Sequence, residues 1–108
     1  MEAARQRNGR HRMDAKEFED ALVRDGFSAE VRVTEAGKVT PEHSHPFDVR
    51  ALVLDGEITL TTTGSSRTYR QGEVFTMAAG CAHAEAIGPE GVRNLVGRRL
   101  PTQAAEAG

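Results

Sequence analysis

Between residues 14 and 25 the apolar positions recur at helical spacing, with Phe18, Ala21 and Leu22 on one face. Asp14 stands where an N-cap belongs, and Glu17, three residues later, has the spacing of a capping box. Asp25-Gly26 marks the end of this helix. From Phe27 the period changes to two: Phe27, Ala29, Val31 and Val33 alternate with Ser28, Glu30, Arg32 and Thr34, which predicts a strand with its apolar face turned to a core. Short β-rich runs follow over 49–54, 57–63, 67–70, 74–77, 83–87 and 92–98. Asp55-Gly56 reads as a hairpin pair, Gly64-Ser65 and Gln71-Gly72 as turns, and Gly88-Pro89-Glu90-Gly91 as a loop. The linkers are too short to hold crossover helices, so the pattern predicts an antiparallel barrel or sandwich.

At 108 residues the expectation is one domain. Arg5, Arg7, Arg10 and Arg12 face only Glu2 in the first 12 residues, so the remainder is net acidic within a total charge of −2. The expected organisation is a disordered basic leader over 1–13, one β domain over 14–100 and a flexible tail over 101–108. Near-neutral charge and five aromatic residues (four Phe, one Tyr) leave little for tracking phosphates or stacking bases, so no nucleic-acid partner is expected. No apolar run reaches the roughly 20 residues that span a bilayer, and no membrane partner is expected. Cys81 is the single cysteine and cannot close an intrachain disulfide; without an apolar N-terminal signal stretch, the expected location is cytoplasmic.

The candidate chemistry lies in the histidines. His43 and His45 are two apart, so on an extended strand both imidazoles leave the same face while Ser44 points away. His83 lies on a later predicted strand that a barrel could return to the same cavity. Neutral imidazole suits Zn, Cu, Fe and Ni, and three protein ligands leave a coordination position for water or substrate. A surface loop near Pro41 and Pro46 is the competing reading of the His-x-His pair.

The stretches 37–56 and 72–83 resemble the two signature motifs of the cupin superfamily. Gly37, five residues, His43-Ser44-His45 and then Gly56 follow the first motif; Gly72, Gly80 and His83 follow the second. Val49 stands where the family carries a Glu ligand, Ala78 where it carries a Pro, and Ile87 where it carries an Asn. The resemblance extends over about 27–99. It implies an all-β jelly-roll barrel with one short N-terminal helix, in which His43, His45 and His83 hold one divalent transition metal ion (Fe, Mn, Zn, Ni or Cu). It further implies a small polar or anionic ligand in the barrel, with metal-dependent oxygenation or isomerisation as one outcome and a non-catalytic ligand-binding or sensor module as the alternative. The chain has no room for a helix-turn-helix of its own.

Strand parity names a carboxylate to replace the missing Glu. If His83 faces the cavity, Glu85 does too, as a fourth ligand or as a catalytic acid/base beside the metal; at the barrel mouth it would instead be solvated. Asp48 is the other candidate, but needs a bulge to turn inward. Cys81 is read as a thiol near the site or a small buried residue, and Arg50 as a cavity cation or a surface one. Phe47, Phe75 and Met77 are core or pocket wall, whereas Tyr69 and Arg98 have no readable role. A partly apolar sheet face or edge predicts a homodimer.

Overall fold

The computed structural model describes residues 14–101, so the leader 1–13 and all but the first residue of the tail lie outside the described residues. Asp14 caps α1 (Ala15–Arg24), its Oδ1 accepting from the main-chain N–H groups of Lys16 at 2.7 Å and Glu17 at 3.3 Å. The buried face of α1 is Phe18 and Leu22, which join Phe27, Leu52 and Leu95 in one apolar cluster. Burying each such side chain contributes about 1.5–3 kcal/mol, which is how a ten-residue helix too short to persist alone is held. The helix approaches closely because position 97 is glycine: a Cβ there would lie 2.6 Å from Leu22 Cδ2. Among the described residues no helix is long and apolar enough to cross a membrane.

Six antiparallel strands follow: β1 (Glu30–Thr34), β2 (Val39–His43), β3 (Asp48–Thr62), β4 (Ser65–Arg70), β5 (Val74–Met77) and β6 (His83–Arg99). The frame is the pair β3 and β6, which run against each other from Asp48↔Arg99 to Thr61↔Ala84. β1 and β2 flank β6, while β4 and β5 flank β3, which rolls the sheet into a jelly-roll barrel. The barrel interior holds Val49, Ala51, Val53, Ile58, Leu60, Phe75, Ile87, Val92 and Val96; the α1 cluster lies on the outer face of the same sheet.

Three expectations are corrected. Asp55-Gly56 is not a hairpin turn, and 88–91 is not a loop between separate strands. Both lie inside long strands, where the β3–β6 register shifts between Val53 and Asp55 and again between Gly56 and Ile58. A bulge admits an extra residue and so reverses which parity faces inward: Val49, Ala51 and Val53 give way to Ile58 and Leu60, and His83, Glu85 and Ile87 give way to Val92, Asn94 and Val96. A bulge and a turn draw on the same residue types, since both use glycine at positive φ, here +79° at Gly56 and +80° at Gly91. β2 was not among the predicted runs.

The third correction concerns β1. Its alternation is real, but Val31 and Val33 are 53% and 75% exposed. They stand opposite Leu95 and Arg93 on the outer face, whereas Arg32 and Thr34 stand opposite Asn94 and Val92 on the inner one. Alternation shows that a strand has two unlike faces; the neighbouring strand decides which of them is enclosed.

Candidate metal centre

His43 closes β2, His83 opens β6, and the two are cross-strand partners, so their side chains leave the same face as neighbours. Their ring centroids are 4.3 Å apart. Beyond β2 the chain bends through residues 44–47, and the bend is tied to the β5–β6 connection where the Gly80 N–H donates to the His45 carbonyl at 2.8 Å. His45 is thereby delivered to the same place, its ring 4.8 Å from that of His43 and 5.3 Å from that of His83. Glu85 follows His83 on the same strand face; its Oε2 lies 3.2 Å from His83 Nε2 and 3.5 Å from His43 Nε2. One ligand atom from each of the four residues falls within 4.8 Å of all the others.

The hydrogen bonds around the cluster define its chemistry. His43 Nδ1 lies 2.8 Å from the Pro41 carbonyl and His83 Nδ1 lies 3.0 Å from the Cys81 carbonyl. A carbonyl only accepts, so each Nδ1 carries the hydrogen and donates. In the neutral ring each Nε2 then offers a lone pair, and both lone pairs face a carboxylate oxygen, itself an acceptor. Acceptors 3.2–3.5 Å apart are held together by a cation they share, either a proton on Nε2 or a metal ion. These separations are those of donors around an ion with bonds of about 2.0–2.2 Å, which lie about 3–3.5 Å apart in tetrahedral or octahedral arrangements. The residues present therefore fit a divalent transition metal, with main-chain carbonyls fixing two of the imidazoles as such ligands are usually fixed. Burial, together with the charges that His43 and His83 would carry, holds the His45 pKa below the usual imidazole value against the opposing pull of Glu85. That favours the neutral, ligating form of His45.

The other candidates fall elsewhere. Asp48 Oδ1 accepts from the Ala79 N–H at 2.8 Å and Oδ2 lies 3.8 Å from Arg99, so this carboxylate ties down the β5–β6 connection instead of joining the cluster. Val49 is buried in the barrel. Arg50 turns outward: it donates to Asp25 at 2.7 Å, holding that carboxyl below its usual range, and lies 4.3 Å above the Phe27 ring. Cys81 is half-buried and serves His83 through its main-chain carbonyl. Phe47 stacks on His45 at 4.9 Å and 13°, and with Phe75 and Met77 it is both core and pocket wall.

A cavity of about 110 Å³ adjoins the cluster, with Arg32, His45, Phe47, Glu85, Asn94 and Arg98 among its lining residues. Arg98 lies with its guanidinium 5.0 Å from the Phe47 ring. Asn94 and Arg98 went unrecognised in the sequence, and Arg32 was assigned to the polar outer face of its strand. The signal that finds them is parity counted through a bulge at 88–91: with Val92 inward, Asn94, Val96 and Arg98 come next on the same face.

The Cupin domain family model matches residues 29–93, which include all four members of the cluster. No curated protein matches the chain. Among solved structures it is similar to a Rhizobium leguminosarum protein of unknown function, with a TM-score of 0.64, 19% identity, and coverage of 68% of this chain and 70% of that one. It is similar to the cupin domain of Schizosaccharomyces pombe Cnp3, with a TM-score of 0.64, 21% identity, and coverage of 76% of this chain and 61% of that one. It is also similar to the DMSP lyase DddQ from Ruegeria pomeroyi DSS-3, with a TM-score of 0.63, 27% identity, and coverage of 71% of this chain but 40% of the lyase. The first two likenesses concern the fold alone, and the lyase is much the longer protein. The family match spans most of the barrel, and the strands bearing the histidines follow the motif spacing, so the chain belongs to the cupin family.

Proposed function

We propose that this cupin holds one divalent transition metal ion through His43, His45, His83 and Glu85 and binds a small polar or anionic molecule in the adjoining cavity. The observation that carries this reading is the convergence of donor atoms: the Nε2 positions of two rings, oriented by Nδ1–H donation to carbonyls, lie 3.2 and 3.5 Å from one Glu85 oxygen, the separations of ligands that share one ion. Glu85 supplies from β6 the carboxylate that Val49 cannot supply from β3. Three neutral imidazoles and one carboxylate leave a divalent ion with about one uncompensated positive charge, which favours an anionic ligand. A bound metal would supply Lewis-acid polarisation or, as iron, dioxygen activation. Oxygen uptake by iron-loaded protein over a panel of small acids and thiols separates an oxygenase from a binding module.

Metal analysis of protein purified without an affinity tag is expected to give about one equivalent per chain. Protein that carries none, and takes up none of added Mn(II), Fe(II), Ni(II) or Zn(II), overturns the reading. Glu85→Gln is expected to weaken metal binding at least about tenfold, by loss of a charged ligand atom; unchanged affinity removes Glu85 from the ligand set and leaves it the acid/base role.

The proposal includes a cytoplasmic homodimer. It is supported by the free Cys81 and by β1, an edge strand that among the described residues pairs only with β6 and turns Val31 and Val33 to solvent. Light scattering is expected to return twice the chain mass, falling to one chain mass in Val33→Glu; a monomeric wild-type protein contradicts this part.

A further inference from the structure

Consecutive residues between β5 and β6 bond to two of the histidine-bearing segments of the cluster. The Gly80 N–H donates to the His45 carbonyl at 2.8 Å, and the Cys81 carbonyl accepts from His83 Nδ1 at 3.0 Å. Residues 78–81 form a turn closed by the Cys81 N–H on the Ala78 carbonyl at 3.1 Å. This turn lies outside the strand ladders, so its place against the barrel is set by the bonds that leave it. At Ala79 that bond runs from the main-chain N–H to Asp48 Oδ1 at 2.8 Å. Asp48 is the first residue of β3 and stands apart from the four residues whose ligand atoms converge. Its Oδ2 lies 3.8 Å from Arg99 Nη2, and Arg99 is itself fixed where Nη1 donates to the Asp25 carbonyl at 2.7 Å.

We propose that Asp48 is a positioning residue of the metal centre: its carboxylate fixes the 78–81 turn, and the fixed turn aims His45 and His83 at the ion. The inference rests on the metal reading above and assigns a part in it to a residue that touches no metal. His43 has its own support, because its Nδ1 donates to the Pro41 carbonyl two residues back on the same strand. His45 lies beyond the end of β2, and the tie of its carbonyl runs to the turn. His83 opens β6, and its ring is oriented by the carbonyl of Cys81 in the turn. A shift of Gly80 and Cys81 therefore moves both rings together. A carboxylate suits this task, since a main-chain N–H bonds an ionised acceptor about twice as strongly as a neutral one. Groups that orient metal ligands without touching the metal typically control affinity by about 10–100-fold.

Titration of chelator-treated full-length protein with Co(II), followed by the visible absorption of the bound ion, reports affinity and ligand geometry together and tests this. Asp48→Ala is expected to bind Co(II) about 10–100-fold more weakly than wild type, with its absorption bands shifted. Asp48→Asn keeps a carbonyl oxygen in the place of Oδ1 and is expected to restore affinity to within about threefold of wild type, with the wild-type bands. If Asp48→Ala does not fold, Asp48→Ser carries the test, because its hydroxyl ends one bond short of the Ala79 N–H; it is expected to match the result given for Ala. A folded Asp48→Ala or Asp48→Ser protein that melts at a lower temperature but keeps wild-type affinity and bands has lost stability alone, and overturns the inference. Asp48→Asn that binds as weakly as Asp48→Ala also overturns it, since the site would then require the charge and not the acceptor for Ala79. Wild-type protein that binds no Co(II) overturns the metal reading and this inference with it, whereas wild-type binding that Asp48→Ala leaves unaltered overturns this inference alone.

Discussion

The double variant His43→Ala, His83→Ala is expected to carry no divalent metal under conditions in which the wild-type protein carries about one equivalent. The two residues are register partners at the junction of β2 and β6, and their Nε2 atoms flank the same Glu85 oxygen. Removing both leaves His45 and Glu85, which are too few donors to compete with water for a transition metal at micromolar concentration. His83 is 1% exposed, so its truncation opens a space in the barrel; thermal unfolding of the variant must accompany the metal analysis. Metal retained at one equivalent by a folded double variant sinks the proposed site. Loss of metal together with loss of fold is resolved by His43→Ala alone, since His43 is half-buried at a strand end; that single variant is expected to weaken metal binding at least about tenfold.

Gly56→Ala is expected to destabilise the barrel by about 3 kcal/mol or more, lowering the unfolding midpoint by about 10–20 °C or preventing folding. Two independent terms act in the same direction. At φ +79° a Cβ is strained against its own backbone, and a Cβ built there overlaps the Gly91 carbonyl of the facing strand. No flexible side chain can yield in this contact, because the obstruction is main chain at the point where β3 and β6 both shift parity. The strands must separate, and the pairing that orients His83 and Glu85 on one arm relative to Val92 and Asn94 on the other is disturbed with it. A midpoint within about 2 °C of wild type would show that the bend tolerates a side chain and that the crossing is looser than the structure describes. In contrast, Gly64 has a similar φ of +69° but open space around its Cβ, so the comparable Gly64→Ala change tests backbone strain without the clash.

The short helix was legible in local residues, because Asp14, Phe18, Leu22 and Gly26 each act on neighbours within one or two turns. So were β4, β5 and the turns between them, where alternation and glycine positions agree. The bends in β3 and β6 were not legible as bends. Asp55-Gly56 satisfies the backbone requirement of a hairpin and of a bulge equally, and only the strand lying opposite distinguishes them. That ambiguity concealed Asn94 and Arg98: parity counted as though residues 88–91 were a loop gives no orientation for residues 92–99. For Val31 and Val33 the failure was of another kind, since the pattern was read correctly but the enclosed face was taken to be the apolar one.

What the chain determined by itself was the list of chemical parts and their local spacing. Three imidazoles, an apolar residue at the place of the family's Glu, and a carboxylate two residues past His83 are covalent facts, and the two-residue strand period fixes which of them share a face. Tertiary structure decided which faces meet. Pairing of β2 with β6 sets His43 beside His83, the Gly80–His45 tie brings in the third ring, and the double bulge turns Asn94 and Arg98 toward the same cavity. Side-chain direction within a strand is a local property of the backbone, but the distance between strands far apart in sequence is set by pairing register, which no single segment encodes.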